Sequence, residues 1–119
     1  MKKILLIEDN PYNREIAELS LQKAGYEVVS AKDGEEGVLM LKEKPDLVLM
    51  DLSLPKLSGW DVVKRIRDNA EYDALPVIAL TAHAMVGDKE KAIKAGCNSY
   101  LSKPCLPKDI VKEVKKFVQ

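Results

Sequence analysis

Pro45-Asp46-Leu47-Val48-Leu49-Met50-Asp51 holds four successive apolar residues and ends on a carboxylate. A strand wetted on one side alternates apolar with polar. An unbroken run of this length fits a strand buried on both faces, the habit of parallel sheets. Ile4-Leu5-Leu6-Ile7 and Val77-Ile78-Ala79-Leu80 read the same way. With two weaker runs, the predicted strands are Lys3–Ile7, Glu27–Ala31, Leu47–Met50, Val77–Leu80 and Ser99–Ser102.

Helix signals fill the gaps. Asn10 can cap a helix opened by Pro11, where the missing N–H is no loss, and Gly25 can close it in the left-handed conformation. Asp33 and Ser58 are candidate caps for a second and third helix, and Ala95-Gly96 ends a fourth. In the last stretch Ile110, Val111, Val114, Phe117 and Val118 recur at helical spacing, with lysines between them. Strand–helix alternation repeated five times predicts a three-layer α/β sandwich, a parallel sheet with helices on both faces.

Parallel strands bring their carboxyl ends to one edge, where open α/β sheets bind ligands. Glu8 and Asp9 follow the first strand, Asp51 the third, Thr81 the fourth and Lys103 the fifth. Three carboxylates in one crevice repel unless a cation neutralises them. Mg²⁺ suits a few carboxylates with open water positions. A divalent ion, a lysine and a hydroxyl around one further carboxylate make a site for phosphoryl transfer, in which an Asp supplies the attacking oxygen.

Composition narrows the classes. The chain has 119 residues, enough for one domain with a sizeable core. Nineteen basic and nineteen acidic side chains cancel, which disfavours coating nucleic acid by bulk charge. The balance hides an asymmetry: residues 1–60 carry 8 basic and 11 acidic groups, residues 61–119 carry 11 and 8. No apolar run reaches the roughly 18 residues of a membrane span, and Glu8-Asp9 cuts the first one too short for a secretion signal. A cytoplasmic protein is expected. Cys97 and Cys105 lack metal or redox spacing and are expected to be inert, with Cys105 the one that could respond to oxidants.

Together these residues resemble the receiver domain of bacterial two-component response regulators. The matching motifs are Ile4-Leu5-Leu6-Ile7-Glu8-Asp9-Asn10, Pro45 to Asp51, Leu54-Pro55 with Ser58-Gly59, Leu80-Thr81-Ala82, and Ala95-Gly96 leading to Tyr100-Leu101-Ser102-Lys103-Pro104. The resemblance implies a flavodoxin-like (βα)5 sandwich with strand order 2-1-3-4-5. That order comes with the family and not from the periodicity.

It implies roles as well. Asp51 looks like the phosphoacceptor, taking its phosphoryl group from a phosphohistidine. Asp9 and Asp51 would bind Mg²⁺ (or Mn²⁺) directly, Glu8 through water, and the Ser53 backbone carbonyl would complete the protein's share. Lys103 would pair with a phosphoryl oxygen, and the Lys103–Pro104 bond is typically cis in this family. Thr81 and Tyr100 look like the switch pair, with Thr81 moving to the phosphoryl group and the Tyr100 ring following. Ser53 and His83 occupy positions that tune phosphoryl lifetime, and His83 is expected to affect dephosphorylation.

The implied partners are a histidine kinase or histidine phosphotransfer domain and a downstream effector protein, with no direct nucleic acid and no membrane. A monomer or a weak phosphorylation-dependent dimer is expected. The helix from Pro11, with Tyr12, Ile16 and Leu19, is the expected docking element for the phosphodonor, and the fourth helix, fifth strand and fifth helix form the second surface. Residues 1–119 are read as one receiver with no output domain. The Thr81-Ala82-His83-Ala84-Met85 segment resembles both DivK-type single-domain regulators and receivers of hybrid kinases. The competing enzyme reading is a haloacid dehalogenase-like phosphatase, which needs a second Asp where this chain has Ser53.

Overall fold

A computed structural model of the chain describes residues 1–81, 87–103 and 106–119. Its centre is β3 (Leu47–Asp51), in which all five residues are buried. β1 (Lys3–Ile7) and β4 (Val77–Thr81) flank it, and β2 (Glu27–Ala31) and β5 (Ser99–Ser102) form the edges, all parallel, in the order β2-β1-β3-β4-β5. The helices are α1 (Pro11–Lys23), α2 (Gly34–Met40), α3 (Gly59–Asp68), α4 (Asp88–Ala95) and α5 (Pro107–Lys115).

Alternation along each strand divides the core in two. Ile4, Leu6, Leu47, Leu49, Ile78 and Leu80 pack against Ala17 and Leu21 of α1 and Ile110 and Val114 of α5. Leu5, Ile7, Val48, Met50, Val77 and Ala79 face α3 and α4 through Val62, Val63, Ile66 and Ala92. Each fully buried Leu, Ile or Val contributes about 1.5–3 kcal/mol against leaving it exposed. This explains why unbroken apolar runs, unusable in a one-sided sheet, are right here.

The caps fall where the sequence places them. The Asn10 side chain accepts from the N–H groups of Tyr12 and Asn13, Asp33 from Glu36, and Ser58 from Asp61. Gly25 (φ 98°) follows the end of α1, and Gly96 (φ 118°) follows α4. Three boundaries differ from expectation. β3 and β4 each run one residue further, taking Asp51 and Thr81 into the ladder. α5 stops at Lys115, yet Val118 is still buried and its carbonyl accepts the Tyr26 hydroxyl at 2.7 Å. α2 and α3 are followed by 3-10 turns at Leu41–Glu43 and Ala70–Tyr72 that periodicity does not reveal.

Candidate functional site

The site forms where β1, β3, β4 and β5 end. Glu8, one residue past β1, is held at every polar atom. Its N–H donates to the Ala31 carbonyl (3.0 Å), and its carbonyl accepts Arg14 Nη1 (2.9 Å). Its carboxylate accepts Lys103 Nζ at 2.9 Å and the Asn10 N–H at 3.3 Å. Arg14 is a residue the sequence reading missed, since an arginine one turn into an amphipathic helix reads as an ordinary surface charge.

Asp51 ends the central strand. Its Oδ1 accepts the Ser53 N–H and its Oδ2 accepts Lys103 Nζ, both at 2.8 Å. Lys103 arrives from β5, with its N–H donating to the Thr81 carbonyl at 2.7 Å. One ammonium thus bridges two carboxylates that lie 43 positions apart in sequence. Asp9 is exposed beside them. One carboxylate oxygen from each of Glu8, Asp9 and Asp51 lies within 4.8 Å of the others.

The electrostatics follow from burial. Glu8 is 3% exposed and Asp51 7%, so their charges are poorly solvated. Burial raises the Glu8 pKa above its ordinary 4.5, and the Asp51 charge adds to the rise. The Lys103 hydrogen bond and charge and the Asn10 N–H offset only part of it. For Lys103 burial pulls downward, but the hydrogen bonds and charges of Asp51 and Glu8 outweigh it and hold the ammonium above 10.5. The result is an acidic pocket of hard oxygen donors whose two buried members share a single cation. That donor set fits a small divalent ion with open positions for water and phosphoryl oxygens.

Thr81 is buried, on the same side of the sheet as Tyr100. Burial lifts the Tyr100 phenol above its ordinary 10.0, with the Asp88 charge adding and the Thr81 hydroxyl partly offsetting. Among the described residues no hydrogen bond of ordinary geometry reaches the buried Tyr100 hydroxyl. The expected switch pair is therefore brought together. His83, Pro104 and Cys105 lie outside the described residues, and with them the expected tuning role of His83 and the cis bond. Ser53 is exposed beside Asp51. Cys97 is buried, its thiol pushed up to about 11 by burial with Arg67 opposing, as an inert cysteine should be.

The family model for the response regulator receiver domain matches residues 4–115. The chain belongs to this family. As a receiver it is a signalling protein rather than a classical enzyme. The polar-differentiation response regulator DivK of Brucella anthropi is 36% identical over 98% of this chain and 96% of its own length. The chemotaxis protein CheY4 of Vibrio cholerae superposes with a TM-score of 0.92 at 28% identity, covering 99% of both chains. The receiver domain of a sensor histidine kinase of Pseudomonas aeruginosa, solved with magnesium in its active-site cleft, is 37% identical with a TM-score of 0.88. That match covers 98% of this chain and 96% of its own. These matches bear out the fold and the strand order read from the resemblance. Among the described residues no helix of this receiver is long and apolar enough to cross a membrane.

Proposed function

We propose that this receiver is a response regulator that accepts a phosphoryl group on Asp51 from a phosphohistidine and signals through protein–protein contact. The observation that carries the reading is the arrangement of Lys103 and Glu8 around Asp51, since it gives one carboxylate a cation on one oxygen and a backbone N–H on the other. Asp51 attacks phosphorus as the N–P bond to the donor breaks, and the imidazole leaves with the electron pair and takes up a proton. Glu8, Asp9, Asp51 and the Ser53 carbonyl are the residues to hold Mg²⁺, which when bound neutralises charge on the transferring oxygens. Lys103 stays beside Asp51 and pairs with a phosphoryl oxygen. The Thr81 hydroxyl, buried near Tyr100, reports the new charge to the α4–β5–α5 surface, and the phosphoryl group acts as a ligand on a two-state equilibrium.

The donor's docking surface is α1. Tyr12 is 72% exposed, Ile16 37% and Leu19 54%, while Ala17 and Leu21 supply the buried face. Tyr12, Ile16 and Leu19 stand at i, i+4 and i+7, one stripe beside the acidic pocket. Trp60 is half-buried against the α2–α4 side of the core and serves packing. The test is incubation with Mg²⁺ and acetyl phosphate followed by intact mass. A phosphoryl adduct on wild type that is absent from Asp51→Asn supports the reading. No adduct on wild type, or one that survives the substitution, overturns it.

A further inference from the structure

The loop between β3 and α3 carries the Ser53 carbonyl and begins at Asp51, so its position sets the geometry of the whole site. It is tied at its start, where the Leu52 N–H donates to the Leu80 carbonyl (2.9 Å), and at its end, where the Gly59 N–H donates to the Leu52 carbonyl (3.0 Å). Between these ties the loop leans on the first turn of α2. A Cβ on Gly34 would run into the Leu57 carbonyl oxygen and lie 2.7 Å from its carbon, so the two backbones touch directly. The neighbouring residue, Lys56, has a φ of 65°, a left-handed conformation that a side chain with a Cβ enters only under constraint. Its ammonium lies 3.7 Å from the buried Asp33 carboxylate. Asp33 is fixed in turn, since its Oδ1 caps α2 at the Glu36 N–H (2.8 Å).

We propose that the first turn of α2 is the seat of the acceptor loop, with Asp33 and Lys56 as positioning residues and Gly34 as the point of backbone contact. The inference rests on the reading of Asp51 as acceptor and assigns residues beyond it. Asp33 is not a member of the Glu8–Asp9–Asp51 cluster. It acts by holding Lys56, and with it the strained turn that presents Leu57 to Gly34. This arrangement keeps the Ser53 N–H on Asp51 and fixes the backbone whose carbonyl would serve a cation. The ammonium end of the pair is 59% exposed, so water screens it and it contributes little to global stability; its effect should be visible at the site and not in the unfolding curve.

The experiment compares wild type, Lys56→Met, Lys56→Arg and Gly34→Ala. Amide exchange at Ser53 is followed without metal or donor, and Mg²⁺ affinity is measured by calorimetry. Lys56→Met should accelerate Ser53 exchange and weaken Mg²⁺ by about two- to fivefold, the span of an ion pair of this class. Lys56→Arg should restore both, and Gly34→Ala should exceed Lys56→Met in both. Wild-type exchange and affinity in Lys56→Met would overturn the proposal, as would a defect that Lys56→Arg fails to rescue. Failure of the acceptor reading shows separately, as a wild-type protein that takes no phosphoryl group on Asp51, whatever Ser53 exchange reports.

Discussion

Among the described residues Lys103 is the cation that Glu8 and Asp51 share; replacing it by methionine removes it, and the outcome can be worked from the distances. At an effective dielectric constant of about 20, two carboxylates about 5 Å apart repel by roughly 3 kcal/mol, and an ammonium about 3 Å from a carboxylate attracts by roughly 5–6 kcal/mol. Three repulsions among Glu8, Asp9 and Asp51 and two attractions to Lys103 therefore nearly cancel. Without Lys103 only repulsion is left, but it cannot grow without limit because the site can take up a proton instead. Keeping a proton on a carboxylate of ordinary pKa near 4.5 requires about 1.4 kcal/mol per pH unit, so the ceiling is about 4 kcal/mol near pH 7.5 and about 1.4 kcal/mol near pH 5.5.

The sign is consistent. In Lys103→Met the folded pKa of Glu8, already raised by burial, rises further above its unfolded value. The stability tied to that proton is therefore complete below about pH 4.5 and is lost as pH rises through the folded pKa. The expected deficit is about 3–4 kcal/mol near neutrality without divalent ions, or roughly 12–16 °C in melting temperature for a chain of this size. It should shrink to about 1 kcal/mol near pH 5.5. Millimolar Mg²⁺ should recover most of it, because a ligand bound only by the folded state stabilises it by mass action. Urea titrations at both pH values, with chelator and with Mg²⁺, read all of this. An equal deficit at both pH values, or none at neutral pH, would refute the argument that Lys103 is the charge balancing the pocket.

Two further outcomes follow from contacts away from the site. The Arg67 guanidinium donates to the carbonyls of Gly96 (2.9 Å), Tyr72 (2.7 Å) and Leu75 (2.7 Å) and to Asn98 Oδ1 (2.9 Å). Arg67→Met should lower unfolding stability by about 3 kcal/mol, allowing for water at the freed carbonyls, and Arg67→Lys should recover little because an ammonium cannot fork; a loss under about 1 kcal/mol would contradict the count of bonds. Glu113 has its pKa lowered, first by the Ser99 hydroxyl at 2.6 Å, against burial, and then by Lys116 and Lys89. Its contribution is present above the unfolded value and fades as pH falls through the folded one. Glu113→Gln should therefore flatten the acid limb of the stability curve below about pH 4.5, and an unchanged limb would remove Glu113 as its source.

Strand existence and caps were legible because each rests on a local rule: apolar runs for two-sided burial, Asn10, Asp33 and Ser58 for orphan N–H groups. The ends of β3 and β4 were not. A change to polar side chains ends the apolar run, whereas Asp51 stays in register opposite Leu80 through the backbone. For the site, the edge rule collected Glu8, Asp9, Asp51, Thr81 and Lys103. It did not show that Lys103 itself joins Glu8 to Asp51, nor that Arg14 braces Glu8. Arg67 and the Asp33–Lys56 pair escaped for the same reason. An arginine or lysine whose partners lie off its own helix, from 5 positions away for Arg67 and Tyr72 to 95 for Lys103 and Glu8, leaves no periodic trace, and only the folded backbone brings the acceptor carbonyls or carboxylate to it.

Among the described residues the two half-cores form separate clusters on opposite faces of one sheet. Side chains on opposite faces are separated by the strand layer, about as far apart as substitutions need to be for their effects to add independently. The α1/α5 compartment, which carries the stripe of Tyr12, Ile16 and Leu19, and the compartment under α3 and α4, where Tyr100 packs, can thus accept mutations without consulting each other. A lineage of such proteins could exchange the partner that docks on α1 while leaving untouched the α4 and Tyr100 side of the α4–β5–α5 surface, with α5 the element that both faces share.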